Sequence, residues 1–306
     1  MARPCLLPVL LAVAAAAVAL SALPGGAHAK SKLAKKSDDI VNGPLLTEKL
    51  KAKRTLIVGP DEEFKTVQAA IDAVPARNSD GKVVIPETKP FIFVRGNGKG
   101  RTSITHESAS IDNAESAAFT VNADNVIVFG ISFRNSARAG LIANSEIRTV
   151  ATMVAGDKGN IDFIFGNGQS MFQCPEIFVK PDRRTEIQGS ITAQNRKEED
   201  SGGFVFLKGK VYGVGEVYLG RVTDPYSRVL FSDMYLSKTI NPAGWTSYGY
   251  PGSTANVMLA EYNCTGPGAE ASKRVPWSRR LTTDEAAKYL TVDFINGKEW
   301  LPAYYY

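Results

Sequence analysis

The 306-residue sequence is poor in the side chains from which most hydrolytic and metal sites are built. It has three cysteines, and Cys5 lies in the N-terminal apolar run, which leaves Cys174 and Cys264. There is no CxxC pair and no Cys/His cluster, which argues against a zinc site. Two cysteines in an exported chain suffice for one disulfide, but sequence does not fix the pairing. Of two histidines, His28 falls in the same N-terminal segment and only His106 remains. It sits in Ser103-Ile-Thr-His-Glu-Ser108, and no GxSxG elbow occurs anywhere, so a Ser-His-Asp hydrolase is not supported and His106 reads as structural. Beyond the N-terminus no stretch is long and apolar enough to span a bilayer.

Charge of one sign is also lacking. The formal net charge is +5, but Arg3, Lys30, Lys32, Lys35 and Lys36 carry all of it, and residues 37–306 balance. The basic pI therefore belongs to a leader, not to a nucleic-acid-binding face. The leader itself has an ordered anatomy. Arg3 supplies a positive end, an Ala/Leu/Val-rich run extends from Leu6 to Leu23, and Ala27-His28-Ala29 forms a small-x-small cleavage site. Residues 1–29 are expected to be a signal peptide, 30–45 a flexible basic leader, and 46–306 one domain, large enough for a sizeable core. Secretion follows, with no membrane attachment once the signal is removed. Asn263-Cys264-Thr265 is the only N-glycosylation sequon.

What the chain does have is short β-rich runs. From Phe64 to Val74 apolar residues recur at 64, 67, 70, 71 and 74, and Pro75 follows, which predicts one helix. Then come Val83–Ile85, Phe91–Val94, Ala118–Val121, Val126–Phe129, Ile131–Phe133, Phe163–Phe165, Glu176–Val179, Phe204–Leu207, Val229–Phe231 and Val257–Leu259, separated by Gly, Asn, Asp and Pro. Such runs fit a sandwich, a barrel or a solenoid. The solenoid is favoured, because no Asn-Gly or Asp-Gly sits between two alternating runs as a tight hairpin requires, and because short Val/Ile/Phe strands suit coils that bury a core only by stacking. The expected fold is all-β: a single-stranded right-handed parallel β-helix with a short N-terminal capping helix. A C-terminal helical and aromatic tail follows, with a helix over 281–290 capped by Thr282 or Thr283 and an aromatic run from Phe294 to Tyr306 packing on the β-helix side.

One carboxylate stands out. In Gly159-Asn-Ile-Asp-Phe-Ile-Phe-Gly166, Asp162 lies within an apolar run. A buried carboxylate is costly and needs a cation or donors to stay ionised. On the residues alone it is either a functional group or a turn or cap residue. Gly159 to Gly166 resembles the pectinesterase signature G-x-[VI]-D-F-I-F-G. Ser190-Ile-Thr-Ala-Gln-Asn-Arg196 resembles ITAQ-x-R, and Val217-Tyr-Leu-Gly-Arg221 resembles YLGR. Tyr226-Ser-Arg228 and Ile240-Asn-Pro-Ala-Gly-Trp245 resemble YSR and DPAGW. Glu261–Cys264, Gly266–Gly268 and Val275–Trp277 complete the order, and weaker similarity covers most of the rest.

The resemblance implies an esterase that removes methyl groups from the galacturonate carboxyls of cell-wall pectin (homogalacturonan), working outside the cell without metal or cofactor and as a monomer. It also admits a proteinaceous pectinesterase inhibitor as partner. An Asp attacks the ester and forms a covalent intermediate, a second Asp acts as acid and base, and glutamines serve as oxyanion donors. Carried over by motif, Asp162 is the nucleophile, Arg221 its cationic partner, Trp245 an aromatic of the sugar groove, and Phe165 a wall of the site.

The chain departs from the family pattern in two places. Gly156-Asp-Lys158 matches a turn that the family follows with a segment carrying GYQDTL, yet Gly159 of the nucleophile motif comes next, so the acid/base Asp has no counterpart. Earlier, Asn78-Ser-Asp-Gly81 runs directly into Lys82, without the family's preceding strand and G-x-Y-x-E turn. Arg148 and Thr223 replace a Gln and a Trp, and Asn113 stands at a family Thr. Because removal of one member of a catalytic unit costs orders of magnitude in rate, weak or absent turnover is expected. A non-catalytic pectin-binding relative is the alternative.

Overall fold

A computed structural model describes residues 9–13, 55–58, 61–73, 83–96, 102–106, 117–135, 157–159, 164–179 and 189–301. The chain groups into two compact units, residues 1–103 with 121–131, and residues 104–120 with 132–306.

In the first unit, β1 (Val9–Val13), β2 (Thr55–Val58), β4 (Ile92–Arg95) and β7 (Ile127–Phe129) form a parallel sheet in the order β2-β1-β4-β7. Leu56 and Val58 are buried while Ile57 between them is exposed, the two-residue period of a half-buried strand. Strand β3 (Val83–Ile85) and helix α1 (Val67–Ala73) accompany this sheet. The helix starts three residues later than its apolar pattern, because the Thr66 hydroxyl accepts from the Ala69 N–H at 3.0 Å and caps it there. Its other end is held by buried Lys89, whose Nζ donates to the Ile71 carbonyl at 2.6 Å, a use of lysine that satisfies an orphan helix carbonyl. Strand β1 comes from the segment read as a removable leader, yet here it pairs Leu11 with Leu56 on one side and Val94 on the other.

The second unit is a stack of coils. Strands β5 (Ser103–His106) and β8 (Ser132–Asn135) pair, and β6 (Phe119–Val121) brings Phe119 onto Phe133, ring centroids 4.7 Å apart. Three parallel sheets then run through the rest. The first holds β10 (Ile164–Gly166), β13 (Ser190–Gln194), β16 (Tyr218–Arg221) and β19 (Trp245–Thr246). The second holds β11 (Gln169–Gln173), β14 (Gly203–Leu207), β17 (Arg228–Ser232), β20 (Met258–Tyr262) and β21 (Arg279–Arg280). The third holds β9 (Asp157–Gly159), β12 (Glu176–Val179), β15 (Lys210–Gly213) and β18 (Tyr235–Leu236). Each strand pairs in parallel with its counterpart a coil away, the parallel β-helix expected from the sequence. The turn expected at Gly156-Asp-Lys158 is a strand from Asp157 onward: β9 pairs Asp157 with Ile177 and Gly159 with Val179, because β12 offers a free edge there.

The interior repeats with the coil. Phe172, Phe206 and Phe231 occupy one register position on β11, β14 and β17, with rings stacked at 4.4 and 4.5 Å and tilted by only 14° and 9°. All three are buried, and each stacked pair contributes about 0.5–1.5 kcal/mol beyond its area. The corner after the second sheet is equally repetitive. Cys174, Lys208, Asp233 and Asn263 each follow a strand of that sheet and each has left-handed backbone, φ 51°, 56°, 52° and 49°. The N–H groups of the first three donate to the next coil, Cys174 to Leu207, Lys208 to Ser232 and Asp233 to Tyr262. Asn and Asp tolerate this conformation best among residues with a Cβ.

On the outside of the second sheet, α2 (Thr283–Ala287) packs Ala286, with Tyr289 and Phe294, against Val205, Leu230, Met258 and Ala260. Thr282 is its N-cap, in a full capping box with Glu285. A short α3 (Gly297–Trp300) ends the described chain; the tail from 302 onward lies outside the described residues. No helix among the described residues is long and apolar enough to cross a membrane.

Candidate active site

The first sheet of the second unit carries the candidate residues that the structure describes. Register pairs Phe165 with Ala193 and Arg221 with Thr246, and the Thr192–Gly220 pairing sets Ala193 beside Arg221. Phe165 and Arg221 therefore lie in one row across three strands, roughly 10 Å apart at the usual spacing, on the same face of the sheet. Both are half-buried. Asp162, two residues ahead of β10, lies outside the described residues, as do Asn113 and Arg148.

The neighbouring row points into the core. Ile164, Thr192, Gly220 and Trp245 are in register, and Thr192 Oγ1 donates to the Leu219 carbonyl at 2.9 Å. A Cβ at position 220 would strike Thr192 Oγ1 and come within 3.0 Å of the Trp245 ring, which accounts for the glycine of Tyr218-Leu-Gly-Arg221. Trp245 is accordingly 0% exposed, edge-on to Phe231 at 5.9 Å. The sequence expectation of a sugar-stacking ring at Trp245 is not what the structure presents: its register position faces inward. Its Nε1 has no partner among the described residues.

An exposed ring lies close by in the chain. Tyr248 is 73% exposed, its N–H donating to Thr246 Oγ1 at 3.1 Å, in the turn leaving β19 beside Arg221. It belongs to no periodic run, so no sequence pattern marks it. Thr223, where the family carries a Trp, donates instead to the Gln194 carbonyl at 2.8 Å. Gln194 is a second residue that the motif alone did not interpret. Fully buried, its Oε1 accepts from the N–H groups of Arg228 at 2.8 Å and Arg196 at 3.3 Å and so ties its own coil to the next.

The strand bearing Trp245 is set by an ion pair behind it. Arg274 meets Glu261 through two bonds, Nε–Oε1 at 2.7 Å and Nη2–Oε2 at 2.9 Å, with both side chains buried. The same guanidinium donates to the carbonyls of Pro242 at 3.0 Å and Gly268 at 2.6 Å. Its stem fills the space a Cβ would need at Gly244, where φ is +72°. Among the described residues no group of His, Cys, Asp and Glu is arranged to hold a metal.

Comparison with known proteins agrees with this arrangement. A family model described as pectinesterase matches residues 152–298. Probable pectinesterase 67 of Arabidopsis thaliana is 45% identical over 308 residues, covering 86% of this chain and 90% of that protein. The chain belongs to the pectinesterase family. Putative pectinesterase 10 of the same plant is 34% identical over 297 residues, 81% of this chain and 87% of that one. Among solved structures, pectin methylesterase from carrot superposes with a TM-score of 0.62 at 24% identity, covering 81% of this chain and 95% of its own. The Aspergillus niger enzyme gives 0.61 at 22% identity, covering 82% and 97%. These likenesses establish the parallel β-helix fold. The alignment with the 45% relative runs over 308 positions yet uses only 86% of a 306-residue pectinesterase chain, so that relative holds positions for which this chain has no residue. That agrees with the two absent segments read from the motifs.

Proposed function

We propose that this pectinesterase-family chain is a secreted carboxylic ester hydrolase acting on the methyl esters of cell-wall homogalacturonan, with turnover well below that of a relative that has the full set of coils. The reading rests on the ordered set of family motifs, with Arg221 and Phe165 on one face of one sheet. Asp162 is the nucleophile: its carboxylate attacks the ester carbonyl, an anhydride forms, and methanol leaves with a proton taken from solvent. Water then hydrolyses the anhydride. Arg221 keeps Asp162 ionised, and Phe165 walls the site. Trp245 acts as the floor beneath Arg221, while Tyr248 offers the exposed ring on which a sugar stacks. Slow turnover follows from the missing acid/base Asp and oxyanion glutamines, since members of a catalytic unit are strongly non-additive. Residues 1–29 direct export, and 46–306 form the working domain, a monomer whose substrate is polymeric pectin.

The decisive measurement is methanol release from highly methylated pectin by the purified protein, beside its Asp162→Asn and Arg221→Ala forms. Slow release that both substitutions reduce to background supports the assignment. Release unchanged by Asp162→Asn overturns the nucleophile. Binding of pectin with no methanol from any form makes the chain a non-catalytic pectin-binding protein, a reading that no present observation favours.

A further inference from the structure

We infer that Asn263 carries an N-linked glycan on the exported protein, at the last left-handed corner of the coil stack. The inference rests on the export reading above. The sequon Asn263-Cys264-Thr265 could have been buried in a strand, as many sequence matches are, but it is not. Strand β20 ends at Tyr262, and Asn263 turns the chain at φ 49°. Asn263, Thr265, Gly266 and Pro267 are all exposed, so a bulky oligosaccharide meets solvent rather than packing.

Four further features suit the site. The Asn263 side chain already has a use that glycosylation leaves intact: Nδ2 donates to Asp233 Oδ1 at 2.5 Å. Transfer from a lipid-linked pyrophosphoryl oligosaccharide forms a bond from Nδ2 to the first sugar's C1, breaks the C1–O bond to pyrophosphate and releases one Nδ2 proton. The other Nδ2–H continues to donate to Asp233. The middle cysteine does not compete, since the Cys264 thiol turns inward and donates to the Phe231 carbonyl at 3.3 Å. An open recess of about 460 Å³ bounded by Tyr262, Asn263, Arg280 and Thr283 adjoins the side chain and can seat the first sugar. The corner also follows the second sheet, whereas Arg221 and Phe165 lie on the first, so the glycan does not occupy the face proposed to meet pectin.

The test translates the full chain with endoplasmic-reticulum microsomes, once with its own residues 1–29 and once with a heterologous cleavable leader in their place. A one-glycan upward gel shift, removed by peptide-N-glycosidase, lost in Asn263→Gln and in Thr265→Ala, and kept in Thr265→Ser, supports the site. Thr265→Ala guards against misfolding at the corner, because only the Thr265 backbone is used there, its N–H donating to Met234. A protease-protected chain without the shift in the heterologous-leader form overturns the proposal, as does a shift that persists in Asn263→Gln. A shift confined to the heterologous leader keeps the glycan site and removes the export reading instead.

Discussion

The two cysteines of the coil stack have opposite surroundings, and at the residue scale that decides a pairing that sequence leaves open. Cys174 is exposed on the first rung of the left-handed corner, and Cys264 adjoins the fourth. Three steps of about 4.8 Å separate those rungs, far beyond the roughly 7 Å Cα limit of a disulfide, and both thiols are free. Burial pushes the Cys264 thiol up to about 12. It is therefore protonated at neutral pH, and the reactive thiolate forms only as pH rises toward that value. In a Cys5→Ser form, a maleimide at neutral pH should modify one thiol quickly, with the second reacting after denaturation or at strongly alkaline pH. Two equally fast thiols, or a species whose gel mobility changes with reductant, would contradict this geometry. Trp245 makes the complementary point about what a motif can show. A tryptophan after Asn-Pro-Ala-Gly is legible as a family landmark, but whether it faces sugar or core depends on register with Gly220, which appears only once the coils are stacked.

Elements were legible in proportion to how much of their stability is local. Strand β12 falls at Glu176–Val179, as its Val/Ile/Phe pattern predicts, and α2 has the cap that Thr282 offers. Strand β11, Gln169-Ser-Met-Phe-Gln173, has no such pattern; it is a strand because β14 pairs with every one of its residues. Likewise the Arg274–Glu261 pair joins residues from a loop and a strand that nothing in the local sequence couples. Glu261 takes the register position that Phe172, Phe206 and Phe231 occupy on the preceding coils, so the aromatic column ends on a buried carboxylate that Arg274 must neutralise. Breaking a buried pair from one side leaves an uncompensated charge and costs about 3–5 kcal/mol. Arg274→Met and Glu261→Met should each lower unfolding free energy by about that amount, and the double substitution by much less than their sum, as read by urea denaturation. Additive losses would mean that the two side chains act separately, and that Asn241–Gly244 is held by its own bonds, among them Asn241 Oδ1 accepting from the Ala243 N–H.

For the molecule as a whole, the most telling feature is the strand between β2 and β4. Family motifs imply that a strand ahead of Lys82 is missing, and in the first unit one central position of the sheet is filled by Val9–Val13, remote in sequence from both neighbours. A coil stack is held by nearest-neighbour contacts, so a missing coil is felt first by the strands that would have flanked it. The leader proposed to direct export thus contains the strand that completes this sheet, and cleavage after Ala29 would leave β2 and β4 each with an open parallel edge. Hydrogen exchange can separate the two roles. In the full chain, amides of residues 55–58 and 92–95 should be protected; in a chain beginning at Lys30 they should exchange faster by at least an order of magnitude. The internal control is the β11-β14-β17-β20 stack, whose pairings lie entirely within residues 169–262 and should be unchanged. Equal protection of β2 and β4 in both forms would show that β1 is not what holds them. The absent family strand would then be a loss the fold absorbs by closing the stack rather than by borrowing from the leader.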